Sequence, residues 1–549
     1  MSEAGTKGHV TSAREQRLVV TAASLGTVFE WYDFFVYGTL AALLGTLFFP
    51  AGNETAGFLL SLATFGAGFV VRPFGALFFG ALGDIVGRKY TFLVTIVLMG
   101  VATAGIGLLP TFEQIGIAAA FLLLFLRLLQ GLAIGGEYGG AATYVAEHAP
   151  DHRRGYFTSY IQATATIGLF LSLAVVAACR IALGEEAFRE WGWRIPFLLS
   201  ILLLLISIYI RMKLSESPIF RTMKEEGKGS KNPIRDSFAN KANLRVVLIA
   251  FFGCCIGQSA LWYTGNFYAM LFMQNTLGVG YIDTYIMICT ALAVGMVLVI
   301  FFGHLSDRVG RKWLMLGACL IAAVTFQPIF HTLARAVNPA LMEANENNTV
   351  TLIADPAGCS VVIFDAPTTA CQKVRAMLSK AGVQFKTEDA ATGSQVVVNV
   401  PHSGEVNALV IEDGMPAADE KLIRDNLKLA GYPATAASEN IDWFTAIAML
   451  IALVTLAAMI YGPIAAFLVE LFPTRIRYTS LSLPYNISNG VIGGFQPFVS
   501  FAIITATGDI FAGLWYPAGI ALIAFLVGAF FLPETKDRSL HDDANAPAS

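Results

Sequence analysis

A chain of 549 residues with 56% hydrophobic and only 14% charged residues is too apolar for an ordinary soluble domain, where about 25% of residues are charged. Its net charge of -3 argues against a nucleic-acid surface. Seven scattered cysteines without a CxxC pair argue against a zinc centre, an iron–sulfur cluster or a disulfide scaffold. No metal-spaced His/Cys cluster, nucleophile motif or phosphate loop is found, so neither an enzyme nor a cofactor is expected.

The start is polar through Arg17 and then runs straight into a long apolar segment. That segment is too long for a cleaved signal core and reads as a first span left in place. A membrane helix needs about 20 mostly apolar residues. Twelve segments qualify, near 18–48, 57–82, 90–109, 115–145, 156–179, 195–210, 245–272, 282–303, 313–334, 441–470, 479–506 and 511–532. Lys7, Arg14 and Arg17, the basic stretch 211–245 and the turns after every second span lie on one side, whereas loops near 110–114, 274–281 and 507–510 hold no Lys or Arg. Positive loops stay inside, so both termini are expected in the cytoplasm of a multi-pass inner-membrane protein.

Residues 338–440 interrupt this pattern between the ninth and tenth spans, on the outer side. Val350–Ala354, Ser360–Phe364, Val396–Val400 and Ala408–Ile411 read as strands. Thr369–Ala381 and Ala417–Ala430 read as helices stopped by Gly382 and Gly431. A small α+β module is expected there, open to an outer contact. Cys359 and Cys371 either pair as a disulfide or stay as two buried thiols.

The chain also repeats itself. Gly80, Leu82, Asp84, Val86, Gly87, Arg88 and Lys89 recur 223 positions later as Gly303, Leu305, Asp307, Val309, Gly310, Arg311 and Lys312. Glu147, Pro150 and Arg154 recur 323 positions later as Glu470, Pro473 and Arg477. The second half therefore carries an extra 100 residues between its two marks. Duplicated halves of this kind build many secondary transporters. The expected fold is an all-α membrane protein of 12 helices in two six-helix halves with one inserted module. Its divisions are 1–211, a cytoplasmic linker 212–244, 245–337, the insert 338–440 and 441–549.

Gly80-Ala-Leu-Gly-Asp-Ile-Val-Gly-Arg-Lys89 and Gly303-His-Leu-Ser-Asp-Arg-Val-Gly-Arg-Lys312 resemble the signature loops of the major facilitator superfamily, and Arg127-Leu-Leu-Gln130-Gly131 resembles a second of its motifs. Glu30-Trp-Tyr-Asp-Phe34, Val71-Arg-Pro-Phe-Gly75, Gln130-Gly-Leu-Ala-Ile-Gly-Gly-Glu-Tyr138 and Trp191-Gly-Trp-Arg-Ile-Pro-Phe197 resemble its metabolite:proton symporter family. Members of that family carry α-ketoglutarate, citrate, shikimate, or proline and betaine. The resemblance covers nearly all of the chain outside 338–440. Ile85 stands where an Arg is usual. Ser215-Glu-Ser-Pro218 and Pro533-Glu-Thr-Lys536 resemble shorter sugar-porter motifs.

Ionisable groups inside a span usually face a partner or a water path. Glu30 and Asp33 share a face of the first span, which Tyr37 continues. Two such close carboxylates do not ionise together cheaply, so a proton-carrying role is expected, against a structural pairing with arginine. Arg72 and Arg127 offer planar forks for carboxylates. One anchors an anionic substrate, while the other holds Asp33 or Glu137 until a proton arrives. Arg72 is alternatively a snorkelling gate residue. Gln130 and Glu137 share a face, and Glu137 serves either proton transfer or a buried structural bond. No buried arginine is expected in the second half. Its spans instead bring Gln258, Tyr263, Asn266 and Asn486 for the substrate's far end. Gly80, Asp84, Arg88, Lys89, Asp307, Arg308, Arg311 and Lys312 read as a cytoplasmic gate, the two aspartates accepting from arginines or helix N-termini. The leading expectation is a proton-coupled symporter of a small organic acid. A proline/betaine osmolyte symporter and a sugar-porter-like uniporter are the alternatives. The partners are then protons, a small anionic or zwitterionic solute and the bilayer.

Overall fold

A computed structural model of the chain describes residues 13–49, 54–85, 88–136, 138–212, 239–361, 367–402, 405–472 and 477–538. Among these, 9 helices are long and apolar enough to cross a membrane, or up to 11 if each of 2 bent pairs is one span. One pair, Ser24–Thr39 with Ala41–Phe48, bends by 61°; the other, Glu185–Gly192 with Arg194–Tyr209, bends by 48°. Leu93–Leu108 is a shorter apolar helix. The single span expected over 18–48 is therefore broken. The break follows Gly38, where an added Cβ would lie 2.5 Å from the Phe267 ring, and bare backbone of this kind permits a sharp kink.

Glycines bring the second and fourth spans into backbone contact. A Cβ on Gly131 would lie 1.6 Å from the Gly68 carbonyl oxygen, one on Gly135 2.1 Å from that of Arg72, and one on Gly75 2.1 Å from that of Leu132. Small residues are what let membrane helices approach this closely. The contact sets the spacing of Arg72 and Arg127, which stand on these two spans. Gly131→Leu is expected to force the helices apart, costing about 1–3 kcal/mol or more by overpacking. Thermal unfolding of the purified variant should show the loss, together with strongly reduced transport; an unchanged midpoint would contradict the close approach.

Lys241–Asn275 contains two π-helical turns, Phe251–Cys255 and Thr264–Tyr268, and the helix from Thr479 to Thr507 contains another, Ser488–Gly493. Such turns often mark functional positions because they rotate the side chains that follow.

The two halves touch at several levels of the bundle. At the Gly-Arg-Lys end, Arg154 reaches Glu470 at 2.7 Å and Asp307 accepts from the Gly155 and Tyr156 N–H groups, each at 2.8 Å. Near the middle, Phe35 stacks on Trp262 with centroids 5.3 Å apart, and at the opposite end Arg180 lies 4.1 Å from the Tyr281 ring. Each contact joins the first half of the chain to the second.

Between the helices Lys312–Val337 and Trp443–Leu471 lies a four-stranded sheet in the order β2-β1-β3-β4. β1 is Val350–Ala354, β2 Phe385–Asp389, β3 Val396–His402 and β4 Glu405–Ile411. β1 and β2 are parallel; β3 is antiparallel to both β1 and β4. The helices Ala370–Lys380 and Ala417–Leu429 accompany the sheet. Thr369 and Gln372 form a capping box at the first of them, which satisfies N–H groups that a helix start leaves open. The strand expected over 360–364 is not formed at Ser360 and Val361, and 362–364 lie outside the described residues. Cys359 and Cys371 are joined as a disulfide, their Cα atoms 5.2 Å apart. This segment docks on the bundle end opposite the Gly-Arg-Lys loops. Phe385 donates its N–H to the Gly508 carbonyl at 3.1 Å, and Ala436 donates to that of Gly278 at 3.0 Å.

Candidate functional site

Two arginines define the centre of the bundle, and both are 0% exposed. Arg127 is engaged within its own half through both terminal nitrogens, while its Nε has no partner. Its Nη1 donates to Gln130 Oε1 at 2.6 Å and to the Phe34 carbonyl at 3.4 Å, and its Nη2 to the Phe65 carbonyl at 3.3 Å. Gln130 in turn donates from Nε2 to Thr103 Oγ1 at 2.7 Å. The guanidinium lies 4.3 Å from the Phe34 ring centre and 4.5 Å from that of Tyr37. Tyr37 itself donates to the Ser61 carbonyl at 3.1 Å. Tyr37 and Gln130, expected as substrate ligands, are thus gathered around Arg127 instead.

Arg72 is different. Nε, Nη1 and Nη2 are all buried without a hydrogen-bond partner. Its guanidinium lies 5.3 Å from the Trp31 ring and 5.3 Å from the Phe69 ring. Its ionisable neighbours are Tyr138, Tyr263, Tyr461 and Tyr485. Tyr138 stacks on Tyr485 with centroids 3.8 Å apart and planes 6° apart, and the Tyr461 and Tyr485 hydroxyls are 3.4 Å apart. Tyr138 belongs to the first half, and Tyr263, Tyr461 and Tyr485 to the second, so both halves meet at Arg72. A buried donor with no partner is costly, and a planar fork left open is the geometry that receives a carboxylate.

Asp33 is 4% and Glu30 5% exposed. Asp33 Oδ1 has no partner, and no ion pair joins Asp33 to Arg127 among the described residues. The expected Asp33–Arg127 pair is therefore not formed, because Gln130 and two backbone carbonyls already occupy the guanidinium. Glu137 lies outside the described residues, as do the surroundings of Gly80 and the side chains of Asp84, Arg88 and Lys89.

The second half's polar residues bond partly to one another. Asn489 Nδ2 donates to Gln258 Oε1 at 3.2 Å, Asn266 Nδ2 to the Trp262 carbonyl at 2.7 Å and Asn486 Nδ2 to the Ser482 carbonyl at 2.8 Å. The Oδ1 atoms of Asn266 and Asn486 stay buried without partners. Trp31, Phe69, Tyr138, Tyr461 and Tyr485 were not anticipated as neighbours of Arg72. The sequence signal for two of them, Trp31 and Tyr138, was their place inside the motifs that begin at Glu30 and Gln130.

At the Gly-Arg-Lys end, Arg311 and Arg477 are 0% and 1% exposed, which corrects the expectation of no buried arginine in the second half. Both stand at span ends, where an acidic partner or a terminal carbonyl is in reach. Arg311 Nη2 donates to Glu470 Oε1 at 2.8 Å and to Asp307 Oδ1 at 3.1 Å; Arg477 Nε donates to the Phe472 carbonyl at 3.0 Å. Lys536 Nζ donates to the Arg308 carbonyl at 3.1 Å. Glu534 accepts from the N–H groups of Arg311 at 2.9 Å and Lys312 at 3.0 Å, a carboxylate at a helix N-terminus. Partial burial works against its charge, but the backbone N–H groups of Arg311, Lys312, Thr535 and Lys536 hold the carboxyl below its usual range. A depressed folded value stabilises the fold above the ordinary glutamate range and stops doing so as pH falls through the depressed value. Glu534→Gln is expected to lower the unfolding temperature by about 2 °C at neutral pH. The gap from the parent should close on acidification through that window. A gap that persists in acid would contradict the charged cap.

Residues 18–353 and 429–545 match the model of the family described as "Sugar (and other) transporter". The chain is 37% identical over 331 residues to the proline/betaine transporter of Salmonella typhimurium strain LT2, covering 58% of this chain and 66% of that protein. It is 35% identical over 332 residues to the alpha-ketoglutarate permease of Escherichia coli strain K12, covering 60% and 75% respectively. It thus spans just under two thirds of the first of these relatives. The solved structure of the proton:xylose symporter XylE bound to 6-bromo-6-deoxy-D-glucose superposes with a TM-score of 0.62 at 16% identity, over 96% of this chain and 98% of that one. The match to that structure speaks for the fold, and the family match passes over most of the sheet-bearing segment. The chain belongs to the Sugar (and other) transporter family of the major facilitator superfamily.

Proposed function

We propose that the protein is a proton-coupled symporter that imports a small organic acid by alternating access. The observation that carries this reading is Arg72, whose three guanidinium nitrogens are buried and without partners where the two halves meet. A mono-, di- or tricarboxylate supplies the missing acceptors. Gln258, Tyr263, Asn266 and Asn486 serve the far end of the solute. Glu30, Asp33 and Glu137 form the proton-coupling group, which Arg127 orders. The Gly-Arg-Lys loops form the cytoplasmic gate. Twelve spans in two halves, cytoplasmic termini and a 338–440 module on the outer side complete the reading, which rests on loop charge and the internal repeat.

A second reading is a proline/betaine-type osmolyte symporter. It is favoured by the Trp31 and Phe69 rings beside Arg72. Aromatic faces attract quaternary ammonium groups, so a zwitterion finds its carboxylate on Arg72 and its cation on the rings. The names of the two relatives suit these readings one each.

Uptake into vesicles discriminates between them. Labelled α-ketoglutarate, citrate, betaine, proline and xylose are offered with and without an inward proton gradient. Accumulation of a carboxylate solute should require the gradient and collapse with a protonophore. Uptake indifferent to the protonophore would replace symport by a uniporter, and uptake of xylose alone would remove the role of Arg72.

A further inference from the structure

Outside the bundle, an open groove of about 780 Å³ runs between the helices Ala370–Lys380 and Ala417–Leu429. That volume is of the size that holds small organic ligands. Its charge is lopsided: Lys373, Lys380, Arg424 and Lys428 line it with only Glu420 and Asp425 as carboxylates. Glu420 is already engaged by Arg424, Nη2 to Oε1 at 2.5 Å. Apolar surface from Met377, Leu427 and Tyr432 lies between the cations. Partial burial, and then the charge of Arg424, holds the Lys380 ammonium below its usual range.

Residues next to the groove wall contact the bundle. Ala381, Val383, Pro433 and Ala434 line one part of it. Gly382, between the first two, has φ +67 and would place a Cβ 2.1 Å from the Thr276 carbonyl oxygen. Ala436, two residues past the last, donates to the Gly278 carbonyl at 3.0 Å. The turn at Thr276–Gly278 leaves Lys241–Asn275, the helical span that carries Gln258, Tyr263 and Asn266.

We propose that this groove binds a small amphipathic organic anion, its charge on the lysine and arginine cluster and its apolar body on Met377, Leu427 and Tyr432. Occupancy is felt at the Thr276–Gly278 turn. The proposal is independent of the transport reading, because the groove lies outside the central site.

The test uses the purified full-length protein and pyridoxal 5'-phosphate, an anionic aromatic aldehyde. The lysine amine adds to the aldehyde carbon, water leaves, and borohydride reduces the imine to a stable secondary amine. Peptide mass mapping then reads each lysine. Lys380 should react faster than Lys386 and Lys421, because Arg424 and Lys428 hold the anionic probe in the groove beside it. Sodium benzoate should protect Lys380 and leave Lys421 unchanged. Arg424→Gln should slow labelling of Lys380 several-fold, and Lys428→Gln tests the same point if that variant misfolds. Amide exchange at 276–279 should slow in the labelled protein. Equal rates at the three lysines, or labelling of Lys380 indifferent to benzoate and to both variants, would overturn the site. Unchanged exchange at 276–279 would overturn the link to the bundle.

Discussion

Arg72→Gln is expected to weaken carboxylate binding by roughly 30-fold to several thousand-fold. That range corresponds to the 2–5 kcal/mol typical of deleting one member of a buried charge pair, at 1.4 kcal/mol per factor of ten. Arg72→Lys should not restore transport, since an ammonium lacks the planar fork. The same position should behave oppositely in stability. Its three nitrogens have no hydrogen-bond partner within the protein, and an uncompensated buried charge costs several kcal/mol. Arg72→Met, similar in length and uncharged, is therefore expected to unfold at a higher temperature than the parent while failing to transport. Such a trade of stability for function is common at binding sites. Thermal unfolding without solute, paired with uptake, separates the possibilities. An Arg72→Met protein that is less stable would make Arg72 a structural residue, held by Trp31 and Phe69. Retained carboxylate uptake would move the anchor elsewhere.

The sequence made some of this legible and hid the rest for physical reasons. Long apolar runs mark spans because backbone groups in a bilayer must be satisfied internally, and most of the expected segments are helical. The break after Gly38 was hidden, because the close approach of Phe267 to that glycine comes from the other half of the chain. β1, β3 and β4 were readable from short apolar runs. β2 was missed because Phe385-Lys-Thr-Glu-Asp389 is a polar edge strand with only its first residue buried. Arg72 and Arg127 both stood out as cations within spans. Their different environments did not, since Gln130, one helical turn away, takes up a terminal nitrogen of Arg127, whereas the neighbours of Arg72 come from its own span and five others. Single aromatics in a membrane sequence carry little signal, and only folding shows which of them gather.

Asp33→Asn is expected to leave solute exchange intact and to abolish uphill accumulation. Asp33 is buried in the first span, on the helix that also supplies Trp31 to the Arg72 site and Phe34 to Arg127. Its Oδ1 has no hydrogen-bond partner, so a proton can be gained or lost there without first breaking a bond to protein. A charged group in that position is costly, and such residues mark proton paths. Removing the titration while keeping the shape should separate binding from coupling. For one proton per neutral turnover, a gradient of one pH unit sustains about a tenfold solute gradient; in the variant the ratio should fall to about one. Counterflow, in which labelled solute exchanges for unlabelled solute without a pH gradient, should stay within about threefold of the parent, because the Arg72 site is unaltered. Loss of both accumulation and counterflow would instead assign Asp33 to the architecture of the site. Full accumulation would pass the coupling role to Glu30 or Glu137, and the same pair of assays on Glu30→Gln and Glu137→Gln would then decide between them.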